Sequence, residues 1–237
     1  MNITFLGTSY GAPQKERAQQ SILLEIGDAL YLFDAGSGAL DALIKYGFEQ
    51  KKLRAIFISH LHGDHMNGLH DIMNLAEYFG IKCPVYLSEQ RGIEAFNAFS
   101  FFQHRRECKN ITLSLIRSGE FYSDENISVS AILTAHMAGA GLPSYAFHIN
   151  AGGKTAVITS DLSPTLEDFP HRRADIIITE CAHSSAAAVC EKIAETGSAC
   201  AAIIHIAPAE KYAEFEALSN GLKFQLLLPD DGDKIMV

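Results

Sequence analysis

The chain has 237 residues, 48% of them hydrophobic, with 28 acidic against 19 basic side chains for a formal charge of −9. That length and apolar content support one sizeable core, and a single domain over residues 1–237 is expected. No apolar run approaches the roughly 20 residues that span a bilayer, and the acidic balance is wrong for a protein that neutralises many phosphates. Residues 1–17 lack the basic-then-apolar order of a signal peptide, so a cytoplasmic protein with neither a membrane nor a long nucleic acid as partner is expected.

In chain order, residues 3–7, 21–26 and 30–33 are short runs rich in Ile, Leu and Phe, punctuated by Gly7-Thr8-Ser9 and Gly27-Asp28, and they read as strands joined by turns. After Asp34-Ala35-Gly36-Ser37-Gly38, residues 39–45 carry apolar groups at helical spacing, 55–59 is the next strand, and 70–79 a helix with His70 as a surface or capping group. A strand at 85–87 precedes a helix at 91–102, unusually aromatic through Phe96, Phe99, Phe101 and Phe102. Such a stripe is ordinarily core; here a lid, a pocket lining or a homodimer contact are the other readings. Strands at 111–116, 127–133, 144–149, 155–159 and 176–179 are followed by a helix at 186–196, a strand at 201–206, a helix at 209–218 and a last strand at 224–228. That order predicts an α/β fold of two mixed sheets with helices outside. The five cysteines, Cys83, Cys108, Cys181, Cys190 and Cys200, are scattered and unpaired by any C-x-x-C spacing, so they are expected to be small buried apolar residues. Lys15-Glu16-Arg17 and His104-Arg105-Arg106 are the basic clusters, read as solvated faces.

The most informative segment is His60-Leu61-His62-Gly63-Asp64-His65, straight after the apolar run 55–59. Three imidazoles and a carboxylate within six positions at the end of a strand supply most of the ligands of one or two borderline divalent ions. His60 and His62 alternate as in an extended segment, while Asp64 and His65 turn toward the next helix, which suggests two ions rather than one. A plain polar loop would not gather three of the chain's ten histidines. Three later apolar runs each close on a polar group: 129–135 on His136, 156–160 on Asp161, and 200–204 on His205. Singly each fits a cap; jointly, behind the His60 loop, they fit ligands.

With these residues in order, the chain resembles the metallo-β-lactamase superfamily, whose pattern H-x-H-x-D-H, then His, then Asp, then His is matched by residues 60–65, His136, Asp161 and His205 over nearly the full length. The resemblance implies the four-layer αββα sandwich, with His60, His62 and His136 on one metal, Asp64, His65 and His205 on a second, and Asp161 bridging. It is most similar to the ribonuclease Z-like phosphodiesterases, through Phe5-Leu6-Gly7-Thr8, Pro13-Gln14-Lys15-Glu16-Arg17, Leu32-Phe33-Asp34-Ala35-Gly36 and His60 to Leu69. No Gly/Pro-rich arm of the kind that grips transfer RNA is present, and where that family has His-Glu-Ala-Thr this chain has Thr179-Glu180-Cys181-Ala182-His183.

The implied activity is hydrolysis by a binuclear metal-bound hydroxide of a phosphodiester: a cyclic phosphate, a nucleotide or a short RNA. The ions would be two divalent metals, zinc first, with manganese or iron acceptable to the same donors. Asp64 and Asp161 would orient the hydroxide. Glu180 and His183 are candidates for orientation and proton delivery, with a helix-start or surface role for His183 the alternative. Asp34 is placed to hydrogen-bond a ligating His, or simply to form its turn, and the glycine-rich loop 137–145 offers backbone N–H groups or the Ser144 hydroxyl to an anion. The rival readings are hydrolysis of thioesters, lactones or other carboxylic esters, and a non-hydrolytic metal-binding protein of a biosynthetic pathway. Against an iron redox enzyme, His62 stands where that branch of the superfamily has Glu.

Overall fold

A computed structural model of the chain describes residues 1–106 and 108–237. Its contacts divide into two units, residues 1–116 with 230–236, and residues 117–229 with Val237.

In the first unit β1 (Asn2–Gly7), β2 (Ser21–Ile26) and β3 (Ala29–Phe33) form an antiparallel meander. From β3 the pairing turns parallel through β4 (Leu53–Phe57), β5 (Cys83–Leu87) and β6 (Ile111–Leu115). Parallel neighbours need a crossover, and helices make each one: α1 (Ala39–Lys45), then the short α2 (Gly63–Met66), α3 (Leu69–Asn74) and α4 (Ala76–Phe79), then α5 (Gln90–His104). Every residue of β3 is buried, and its sequence Ala-Leu-Tyr-Leu-Phe is continuously apolar, as a strand covered on both faces requires. Leu32, Leu43, Ile56, Ile72 and Val85 share one core under the helices.

In the second unit β7 (Gly119–Ser123), β8 (Ile127–Thr134), β9 (Ser144–Ala151) and β10 (Lys154–Ile158) are antiparallel. The parallel strands β11 (Ile176–Cys181), β12 (Cys200–Ile206) and β13 (Gln225–Leu227) extend the sheet from β10, with α6 (Ala186–Thr196) and α7 (Lys211–Ser219) as the last two crossovers. Val157, Ile177, Val189, Ile193 and Phe215 share this unit's core. Both units follow one plan, a meander that continues into parallel strands. The chain then returns to the first sheet, where β14 (Lys234–Met236) pairs antiparallel with β1. Around that pairing Gly232 N–H donates to Phe5 O at 2.7 Å, and the Asp231 carboxylate accepts from Thr8 N–H, the Thr8 hydroxyl and Ala18 N–H.

The α/β class and two mixed seven-stranded sheets agree with the reading of the sequence. Several elements differ. β7 and β14 were not foreseen, and 225–227 is not the last strand; both missed strands are mostly exposed edge strands, where no buried face imposes an apolar alternation. The helix expected at 70–79 is two helices, broken at the half-exposed Leu75 with φ −103° and ψ 9°. In α5 only Phe96 of the four phenylalanines is buried, together with Gly92 and Ser100 at four-residue spacing, while Phe101 and Phe102 are exposed. His70 is no mere surface group, for its ring packs 4.6 Å from Phe96 and 4.3 Å from Phe99. The cysteines are all free thiols, with Cys83, Cys181 and Cys190 buried. Among the described residues no helix is long and apolar enough to cross a membrane.

Candidate metal centre

In the first unit the ligand loop begins where the β4 ladder is given up. Ile58 N–H still reaches Tyr86 O, but Ser59 N–H donates instead to the Asp34 carboxylate at 2.8 Å. His60 is thereby carried past the end of the strand. His60 and His65 are fully buried and Asp64 nearly so, while His62 is exposed. The His60 ring lies 4.8 Å from His62 and 4.1 Å from His65, and His65 Nε2 is 3.3 Å from Asp64 Oδ2. The four donors read from this loop therefore converge.

Asp34 is what aims them. Held at φ 55°, it accepts from Ser59 N–H, from the Ser59 hydroxyl at 3.0 Å and from Gln20 Nε2 at 3.0 Å, and it faces His65 Nδ1 at 2.8 Å. The Ser59 hydroxyl lies 3.0 Å from His60 Nδ1. One buried carboxylate thus engages Nδ1 of His65 directly and Nδ1 of His60 through a hydroxyl, which leaves Nε2 of each ring as the candidate metal donor. Backbone approaches close enough to need glycine hold the loop in place. A Cβ on Gly68 would stand 2.2 Å from Gly36 O, and Gly68 N–H donates to Ala35 O while Ala35 N–H donates to His65 O.

In the second unit the ligand candidates come from three separate strand ends: His136 after β8, Asp161 after β10, and His205 near the end of β12. His136 Nε2 is 3.6 Å from Asp161 Oδ2, and His205 Nε2 is 3.6 Å from Asp161 Oδ1. Those separations are too long for hydrogen bonds. They are near the ~3.3 Å edge of a tetrahedron whose metal–ligand bonds are about 2.0–2.1 Å. Each oxygen of one carboxylate faces a different imidazole. Ser160 and His205 both have φ 51°, and such backbone, uncommon for residues other than glycine, concentrates where function over-determines it.

Beside this group lies the pair read from Thr179-Glu180-Cys181-Ala182-His183. Glu180 is buried and accepts from the backbone N–H groups of Leu162, Ala182 and His183, and its Oε1 faces His183 Nδ1 at 3.0 Å. The His183 ring stands 4.7 Å from His136 and 6.0 Å from His205, with 30% of its side chain exposed. The helix start is taken by Ser185, which caps α6 by accepting from Ala188 N–H, so His183 does not cap it. Burial pushes the neighbouring Cys181 thiol up to about 12, and the thiol donates to Ser184 O at 3.3 Å.

Ser144 is where geometry corrects the sequence reading. Its hydroxyl is buried, 2.7 Å from Thr134 Oγ1 and accepting from Met137 N–H, so it pins the glycine-rich loop instead of being offered to an anion. Two charged side chains escaped the sequence reading. Lys211 Nζ donates to the carbonyls of Cys181, Ala182 and Ser184, gripping the loop that carries His183. Asp168 accepts from Ala135 N–H and from both donors of Ser163. Neither lies in a motif. Ser59 did carry a signal, as the hydroxyl residue directly before His60.

The donor set, imidazole and carboxylate with the remote ring nitrogens held by a carboxylate and a hydroxyl, suits borderline divalent metals. Comparison with known proteins agrees with that chemistry. A family model described as anti-Pycsar protein Apyc1 matches residues 1–198. The chain belongs to that family. The curated ribonuclease Z of Gloeothece citriformis is 32% identical over 175 residues, 73% of this chain and 54% of that protein. The chain spans about half the length of the curated relatives it matches. Human tRNase Z, short form (ELAC1), superposes with a TM-score of 0.80 at 20% identity, over 100% of this chain and 99% of that one. The metallo-β-lactamase fold protein YhfI from Bacillus subtilis gives a TM-score of 0.80 at 20% identity, over 99% and 98%. The family member is thus similar in sequence to ribonuclease Z and has the sandwich fold of metallo-β-lactamase fold proteins.

Proposed function

We propose that the two units act together as one metal-dependent hydrolase of phosphodiesters, with a small cyclic phosphate, nucleotide or short RNA end as substrate. His60, His62 and His136 would hold one divalent ion, Asp64, His65 and His205 a second, and Asp161 would bridge them. Bound there, two divalent ions, zinc first, supply an activated water at neutral pH and a clamp for phosphoryl oxygens.

The observation that carries the reading is the Asp161 carboxylate with one imidazole Nε2 at 3.6 Å from each oxygen. The protein's own groups complete the chemistry. Glu180 fixes His183 through Nδ1, which reserves Nε2 of this partly exposed ring to hand a proton to the leaving oxygen. Asp64, at the edge of burial, would orient the attacking water. The relatives named for ribonuclease activity support phosphodiester chemistry. The formal charge of −9 supports a small substrate over a long nucleic acid, which would require many basic contacts.

The test is turnover of bis(p-nitrophenyl) phosphate by protein loaded separately with zinc and with manganese, with Asp161→Ala as control. Activity that the variant and chelation both abolish is expected. No turnover from fully loaded protein overturns the phosphodiesterase assignment and redirects the search to thioesters and lactones.

A further inference from the structure

Residues 161–169 form the loop that follows the ligand Asp161. Leu162 and Leu166 are buried in it, and Leu166 sits at φ 55°, a conformation that a side chain of this size holds only when its surroundings impose it. The Asp168 carboxylate ties the same loop together. Its Oδ1 accepts from the Ser163 hydroxyl at 2.6 Å and from Ser163 N–H at 3.2 Å; its Oδ2 accepts from Ser163 N–H at 3.1 Å and from Ala135 N–H at 2.7 Å.

The sequence positions of those donors give the contacts their meaning. Ala135 directly precedes His136, and Ser163 is two residues past Asp161. A single side chain therefore grips both ligand loops close to their ligands. We propose that Asp168 is a positioning residue that sets the His136–Asp161 spacing and, through it, the affinity of this half of the centre for metal. The proposal rests on the reading that His136 and Asp161 ligate, and it goes beyond it by naming the group that preorganises them. Charge-assisted hydrogen bonds to backbone N–H groups are short and directional, so they hold a loop more tightly than water would. Outer groups that fix a ligand's orientation typically govern metal affinity by 10–100-fold.

The discriminating pair is Asp168→Ala and Asp168→Asn. Asparagine keeps an oxygen for Ala135 N–H and turns an NH₂ toward the Ser163 hydroxyl, which can accept; alanine keeps neither. Zinc affinity is measured by competition with a chromophoric chelator, alongside the visible spectrum of the cobalt(II)-loaded protein and the thermal midpoint of the metal-free protein. Asp168→Ala is expected to bind zinc at least about 10-fold more weakly with an altered cobalt spectrum, and Asp168→Asn to stay within a few-fold of the parent. An Asp168→Ala protein with unchanged zinc affinity and spectrum, whatever its thermal midpoint, overturns the proposal and leaves Asp168 a plain loop brace. Should Asp168→Ala not fold, Ser163→Ala removes the 2.6 Å bond alone; several-fold weaker zinc binding is expected, and parental affinity overturns the proposal. A parent protein that binds neither zinc nor cobalt sinks the metal-dependent hydrolase itself, whereas equal loading of parent and variant sinks only the role of Asp168.

Discussion

Removing the Asp34 carboxylate should cost more stability than any other single change at the centre. Asp34→Ala removes the acceptor facing four donors in a site with almost no solvent; the Ser59 hydroxyl still has His60 Nδ1 beside it, and Ser59 N–H, the Gln20 amide and His65 Nδ1 are the three counted as losing their bond. Each buried polar group left without its partner costs about 1–3 kcal/mol. Alanine at φ 55° adds about 1 kcal/mol of backbone strain. Relaxation and water entry place the sum near its lower end, at about 4 kcal/mol, against a total stability of roughly 5–15 kcal/mol for a protein of this kind. Asparagine tolerates the left-handed backbone and retains one acceptor oxygen, so Asp34→Asn should lose about 1–2 kcal/mol while weakening metal binding about 10-fold or more. The assay is urea unfolding of metal-free protein followed by circular dichroism, where a shifted midpoint at constant slope reports stability alone. An Asp34→Ala protein within about 1 kcal/mol of the parent would show that the carboxylate does not hold the loop, and the assignment of Nε2 to ligation in His60 and His65 would fall with it.

Three further predictions follow from the same coordinates. Gly68→Ala places a methyl 2.2 Å from Gly36 O, a backbone atom that cannot swing aside, and should destabilise by about 3 kcal/mol in the same urea assay; a neutral result contradicts the close approach. His183→Ala should lower kcat by roughly 10²–10⁴-fold with little change in KM on a substrate with a poor leaving group; a loss confined to KM assigns the ring to binding. His70 is held below its ordinary value of 6.5 by burial, and His148 by burial and then by Arg172. The unfolded chain thus takes up protons that the folded one refuses as pH falls through about 6.5, so stability is lost below that point. Replacing both residues by Gln should flatten the urea midpoint between about pH 6.5 and pH 5, and an undiminished slope refutes the attribution.

What was legible in the sequence, and what was not, divides along physical lines. Helix α6 was readable to the residue because its ends are chemical: Ser185 caps the start and Gly197, at φ 70°, closes the end. The loop 60–65 was readable because its ligands are neighbours in sequence. His136, Asp161 and His205 were readable only as polar ends of apolar runs, and their convergence on one carboxylate required the folded sheet. Asp168 and Lys211 were invisible, since each acts on main-chain atoms that any residue could supply. Ser144 was misread for the complementary reason: its partners Thr134 and Met137 are brought to it by the β8–β9 pairing, which no local pattern announces.

The pairing of β14 with β1 orders the events of biosynthesis. Residues 230–236 leave the ribosome only after the whole of the second unit, yet they complete the sheet of the first. Through that interval β1 has an unpaired edge, and the segment 8–18, where a Cβ on Gly11 would stand 3.6 Å from Asp64 Oδ2, lacks the Asp231 carboxylate that later anchors Thr8 and Ala18. A ribosome stalled within the second unit therefore holds a first unit with the four side chains of the 60–65 loop made but their flank unfastened, and an open strand edge for chaperones or another nascent chain to engage.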